Sequence, residues 1–170
     1  YQGGAFALGF NESWTMTFLA PDTLQRLMRT KPAAAERLAA LMQGVDDMCQ
    51  WFRHVPLKDF PLFQDAAPYF YDWLAHPDYD EYWKPLDAET RFDRIGIPVH
   101  TFGGWFDIFS QGTLRGYVGM SQKGASAEAR RGSQIVIGPW GHGPSQKYGA
   151  LDFGPEANVD ALALQLRWYD

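Results

Sequence analysis

Two short apolar runs, each ended by glycine and followed by one ionisable side chain, constrain this 170-residue chain more than anything else in it. The first runs from Ile97 through Val99 to Phe102, with Pro98 near its start, and Gly103-Gly104 breaks it. Asp107 follows, set among Trp105, Phe106, Ile108 and Phe109. The second is Gln134-Ile135-Val136-Ile137, which stops at Gly138-Pro139 and delivers His142 after Trp140-Gly141. Apolar runs of this length, bounded by turn residues, read as buried strands. The stretch from about Gln111 to Gln122 reads as a helix between them. Strand 97–102, helix and strand 134–138 then make a βαβ unit, whose parallel strands put ligand chemistry beyond their carboxyl ends. Asp107 and His142 both lie there. A carboxylate among four large apolar side chains is costly to bury unless a cationic or hydrogen-bonding group meets it. His142 is the obvious partner.

The first half of the chain reads as helix. Phe6, Phe10, Trp14 and Phe18 recur every four residues and stack along one helical face, with Asn11, Glu12 and Thr15 on others. Pro21-Asp22 ends that segment, and a short helix capped by Asp22 carries Leu24, Leu27 and Met28. Pro32 suits the first turn of a longer helix, whose apolar spacing continues through Gly44 to Phe52. Gly44 costs about 1 kcal/mol relative to Ala in a helix interior and marks a candidate bend. Val55-Pro56-Leu57 and Phe60-Pro61-Leu62 read as extended, since a residue before proline is pushed out of the helical region. Asp65 opens another helix through Phe70, Trp73 and Leu74, stopped at His76-Pro77. Asp78 with Glu81 resembles a capping box for a last short turn carrying Tyr82 and Trp83. After the second strand, Val159 to Tyr169 reads as a helix with Leu162, Leu166 and Tyr169 on one side.

Composition narrows the function classes. A chain of this length buries roughly 70% of its unfolded surface, enough for a core. Its seven tryptophans suit a broad apolar groove, though packing alone also explains them. A net charge of −5 argues against a nucleic-acid or anionic-membrane partner. Arg130-Arg131, the one basic run, follows Gly124-Ala125-Ser126-Ala127 and reads as loop decoration. The single Cys49 excludes an internal disulfide framework, and no run approaches the roughly 18 apolar residues of a membrane span. The chain opens at Tyr1, so targeting and cellular address stay open.

Taken singly, Asp107 is often only a turn residue and His142 only a satisfied loop histidine. On adjacent strand–helix units of one sheet they gain weight. Acyl transfer by a Ser-His-Asp triad needs a histidine oriented by a buried acid and free at its other nitrogen. In α/β-hydrolases the chain order is Ser, Asp, His, and here the Asp does precede the His. The nucleophile is missing. No Gly-x-Ser-x-Gly occurs, and Gly124-Ala125-Ser126-Ala127-Glu128, the nearest approach, lacks the second glycine and a preceding strand. Cys49 falls within a helix, where cysteine is more often structural than nucleophilic.

Gly103-Gly104-Trp105-Phe106-Asp107 and Gly138-Pro139-Trp140-Gly141-His142 resemble the motifs of the cocaine esterase-type acyl hydrolases. That group includes glutaryl-cephalosporin acylase-like enzymes, α-amino-acid ester hydrolases and, more remotely, X-Pro dipeptidyl peptidases. His76 to Trp83 resembles the family's segment leading out of its helical cap, and Asp152-Phe153-Gly154-Pro155 resembles the stretch after its histidine. The resemblance implies an α/β-hydrolase fold with an inserted all-helical cap: residues 1–86 as cap and 87–170 as the C-terminal part of the hydrolase domain. It implies Asp107 as triad acid and His142 as general base. Serine and oxyanion hole would lie upstream of Tyr1, and a β-sandwich domain would follow the chain. Trp14 falls where relatives place a cap tryptophan against the acyl group, and Phe109 where they place a pocket phenylalanine. Trp14 also belongs to the aromatic stripe, and packing accounts for it equally well.

One departure bears on substrate. The α-amino-acid ester hydrolases place acidic residues just after the triad acid to hold an ammonium, whereas this chain has Ile108, Phe109 and Ser110. The resemblance thus implies an apolar acyl pocket, a small-molecule ester or amide substrate, and neither metal nor cofactor. An X-Pro exopeptidase and a non-catalytic binding fragment are the alternatives. A sheet with only its last strands exposes an edge, so self-association into a homo-oligomer is expected of the isolated chain.

Overall fold

A computed structural model describes residues 5–170 of the chain, which divide into two compact units between Pro85 and Leu86.

The first unit is helical. Helix α1 (Leu8–Trp14) passes through a π-helical segment (Thr15–Leu19) directly into α2 (Ala20–Leu27). Pro21 therefore does not end the helix. It lies inside a continuous helix, directly after the widened π segment, where the departure from the regular ladder accommodates its missing N–H. The aromatic stripe also lies differently from expectation. Phe6 precedes α1 and meets Phe70 edge-on at 5.8 Å. Phe10, Trp14 and Phe18 do stack, with centroids 6.0 and 4.6 Å apart, but on an open face: Trp14 is 40% and Phe18 58% exposed. The buried face is Glu12, Thr15, Met16, Ala20 and Leu24. Spacing identified the faces but not which of them turns inward.

Helix α3 (Ala34–Asp46) and the short α4 (Met48–Trp51) break at Asp47 rather than at Gly44. Gly44 is a packing requirement instead: a Cβ there would sit 2.7 Å from Leu62 Cδ1 and 3.0 Å from Trp51 Nε1. Pro56 and Phe60 are extended, but 3₁₀ turns over Leu57–Asp59 and Pro61–Phe63 replace the expected straight segments. These turns drive Phe60 and Phe63 into the core beside Phe70, with centroids 4.4 and 4.8 Å apart in succession. Helix α5 (Pro68–Ala75) begins at Pro68, because Asp65 lies in the left-handed region at φ 57° and cannot open it. Leu41, Met16 and Leu24 complete the buried cluster.

The capping box expected at Asp78 is absent. Asp80 does the local work: its Oδ1 accepts from Tyr82 N at 2.9 Å and its Oδ2 meets His76 Nδ1 at 2.6 Å. Those bonds, the His76 contact first, hold the Asp80 carboxyl below its usual value. Residues 81–83 form turns, followed by a 3₁₀ segment at Lys84–Leu86.

The second unit is mixed α/β. Strand β1 (His100–Gly104) pairs in parallel with β2 (Gln134–Gly138), in the register His100 with Gln134 through Gly104 with Gly138. The crossover is α6 (Ser110–Lys123) and α7 (Ala127–Gly132). The βαβ unit is thus present, although β1 starts three residues later than expected. Ile97 to Val99 remain outside the ladder, where Val99 bonds instead to Ser133 Oγ and Gln134 N. The basic run is helical, not loop: Ser126 caps α7 by accepting from Ala129 N at 2.8 Å while its hydroxyl donates to Gly96 O. Phe92, Met120 and Ala129 form the small core, with Ile95 and Val99 packed on it. After β2 comes an unexpected hairpin, β3 (Lys147–Tyr148) with β4 (Leu151–Asp152), turned at Gly149 with φ +59°. Helix α8 (Ala161–Tyr169) closes the chain, capped by Asp160. The side expected to be apolar, Leu162, Leu166 and Tyr169, is exposed.

Candidate active site

The register of the parallel pair brings the two glycine ends, Gly104 and Gly138, side by side. Beyond them the chains cross-brace: Trp105 N donates to Gly138 O and Phe106 N to Trp140 O, both at 3.0 Å. This close approach leaves no room for side chains. A Cβ on Gly104 would lie 1.9 Å from Trp140 O, and one on Gly138 would lie 2.0 Å from the Trp140 ring. Trp140 is 2% exposed, stacks on Phe102 at 5.5 Å and donates its indole N–H to Gly103 O at 2.9 Å. It is the strut between the two strand ends. In the sequence the one sign of this role is Gly138, whose missing side chain makes room for the Trp140 ring.

Asp107 sits in the turn after β1, where Oδ1 accepts from Phe109 N at 2.9 Å. Its Oδ2 lies 2.8 Å from His142 Nδ1. The asymmetry of the pair is chemically telling: the Asp107 side chain is 6% exposed and that of His142 73%. The expected setting was inverted, since Trp105, Phe106, Ile108 and Phe109 face outward, at 38 to 61% exposure, while the carboxylate turns in. It is matched there by one backbone N–H and one imidazole, the compensation a withdrawn carboxylate needs. When Nδ1 carries the ring proton and donates to Asp107, Nε2 is left as an acceptor. A buried acid behind an imidazole with an accessible second nitrogen is an arrangement able to move a proton.

Phe109 stands beside this pair, its ring 5.4 Å from that of His142 at 66°. Phe106 stacks on Tyr148 at 4.7 Å and meets Phe153 at 5.7 Å, so the turn bearing Asp107 rests on the hairpin that follows His142. Asp152 fixes the base of that hairpin. It accepts from Gln146 Nε2 at 2.9 Å and Gly154 N at 3.0 Å, bonds that with the more distant Lys147 ammonium hold its carboxyl below the usual value. Of the four residues singled out in the sequence, Asp107, Phe109 and His142 lie together. Trp14 belongs to the first unit, half-exposed between Phe10 and Phe18. Among the described residues no group of three His, Cys, Asp or Glu side chains is placed to hold a metal ion, and no helix is long and apolar enough to cross a membrane.

Comparison with known proteins agrees with the motifs. A family model described as X-Pro dipeptidyl-peptidase (S15 family) matches residues 1–144. Among curated proteins, the cocaine esterase of Rhodococcus sp. (strain MB1 Bresler) is 26% identical over 141 residues. That alignment takes in 82% of this chain but 23% of the esterase, so the chain spans about a quarter of that relative's length.

Proposed function

The chain belongs to the X-Pro dipeptidyl-peptidase (S15) family, and we propose that the protein is a serine acyl hydrolase whose acid and base this chain supplies. Residues 87–170 are then the C-terminal part of an α/β-hydrolase domain and residues 1–86 its helical cap. His142 Nε2 takes the proton of a serine hydroxyl contributed from outside these residues as that oxygen attacks the substrate carbonyl. Asp107 keeps Nδ1 protonated and stabilises the imidazolium. The imidazolium then protonates the departing alcohol or amine, and water, activated by the same nitrogen, releases the acid from the acyl-enzyme. The observation that most supports this reading is the 2.8 Å bond from a buried Asp107 to an exposed His142, held at the carboxyl ends of paired parallel strands.

Substrate preference follows from what flanks the dyad. Ile108, Phe109 and Ser110 offer no carboxylate, and Phe109 lies against the catalytic imidazole, which favours an uncharged, apolar acyl group. Trp14, exposed on the first unit, is the other residue that the family resemblance proposes for substrate binding. The family description favours a second reading, an exopeptidase cleaving after Xaa-Pro, which would use the same dyad. The two separate by assay of the intact protein with an aryl ester and with an Xaa-Pro-arylamide. Turnover of the ester is expected, lost in His142→Ala; cleavage of the arylamide alone would favour the peptidase. Ester turnover that survives His142→Ala would refute the assignment of the base.

A further inference from the structure

Glu12 is the least expected side chain in the first unit. It is 0% exposed, on the inward face of α1, and neither carboxylate oxygen has a hydrogen-bond partner among the described residues. Thr15, one turn along the same helix, is also 0% exposed, with a hydroxyl that has no partner among the described residues. Between these two residues the helix leaves α geometry for the π segment Thr15–Leu19, on which α2 and α3 pack.

Among the described residues no cationic group pairs with this carboxylate. On α2, Asp22 pairs with Arg26 at the surface; on α3, Arg37 pairs with Asp65, and Glu36 and Asp46 are exposed. On α5, Asp72 is exposed and Tyr69 holds a buried hydroxyl that stays neutral, its pKa raised by burial. Desolvation alone acts on Glu12, raising its pKa from 4.5 to about 7. The neutral acid carries one donor and can bond to an acceptor such as a hydroxyl or a backbone carbonyl, whereas the carboxylate accepts only. An isolated ionised carboxylate in an apolar core is far costlier than an unpaired neutral group.

We propose that Glu12 is buried as a neutral acid and that its ionisation loosens the helix carrying Trp14, which makes this helix a pH-sensitive element of the fold. The sign follows from linkage. The group binds its proton more tightly folded than unfolded, so its contribution to stability is full below pH 4.5 and is lost progressively as pH rises towards about 7, then stays constant. A shift of this size changes the unfolding equilibrium by roughly 300-fold across that window.

The isosteric variant Glu12→Gln tests it. Unfolding of the purified protein by denaturant, from pH 5 to 8.5, should show the variant lacking one proton-linked loss of stability and exceeding the wild type by roughly two orders of magnitude in folding equilibrium at pH 8. Parallel pH profiles, or a variant less stable than wild type at pH 8, would overturn the proposal, the second by implying an unseen cationic partner. Infrared spectroscopy reads the proton itself. A carboxylic-acid carbonyl band at pH 6, present in wild type and absent from Glu12→Gln, is expected, and its absence from both would contradict the neutral acid. Quenching of Trp14 fluorescence, isolated by subtracting the Trp14→Phe spectrum, should increase between pH 6 and 8.5 in the wild type alone. Equal quenching at both pH values would break the link to the helix.

Discussion

Asp107 is where residue identity matters most, because its two oxygens are already committed, one to Phe109 N and one to His142. Asparagine would keep the shape but present an amide where the imidazole N–H now finds a carboxylate. The imidazole would then be free to hold its proton on the wrong nitrogen. On the proposed triad, Asp107→Asn in the intact protein should lower kcat by about 10⁴ with little change in KM, measured on an aryl ester. A fall of less than tenfold would mean that Asp107 positions a loop and no more. The pairing of Asp107 with His142 was legible from sequence because each follows a glycine-ended apolar run. The burial of Glu12 was not. Its spacing placed it on a different face from Phe10 and Trp14, and an acidic residue opposite an aromatic stripe reads as the wet side. The helix turns that rule over, with Phe18 58% exposed and Glu12 wholly enclosed.

Among the elements, β2 was the most legible, bounded by Gly138-Pro139 and observed over Gln134–Gly138 as read. Strand β1 was placed early because Ile97 and Val99 look like strand residues, yet they lie outside the ladder beside Pro98. Helix α7 escaped notice because six residues are too few to show an apolar period, and only Ala129 turns inward. Its cap, Ser126, was the one local sign. The Asp78 capping box failed for the opposite reason: the pattern was present, but Asp80 took the local backbone bonds first. What joins the elements into a site is the pair of strand ends. Gly138→Ala would drive a methyl group into the Trp140 ring, which is fixed by Phe102 and the Gly103 carbonyl. Overpacking of this kind costs about 1–3 kcal/mol. Thermal unfolding should register that loss, and NMR should show the Trp140 indole proton and the His142 ring signals move together. A variant with unchanged stability and unchanged His142 signals would show that Trp140 does not hold the histidine turn.

For the molecule as a whole, the two units divide the labour unevenly. The first, up to Pro85, has the larger buried core and carries the open Phe10–Trp14–Phe18 stack. The second, from Leu86, has a core of few residues and a two-stranded sheet, but holds the dyad. A helical first half and a βαβ second half were readable from periodicity and strand-bounding glycines. The hairpin after His142 was not, since strands of two residues carry no period. In the proposed mechanism His142, backed by Asp107, activates a serine in the intact protein. Covalent labelling by a fluorophosphonate reads that activation before any substrate preference enters. The wild-type protein should label on a serine at a rate that falls by several orders of magnitude in His142→Ala. Labelling of the His142→Ala variant at the wild-type rate would rule out His142 as the activating base.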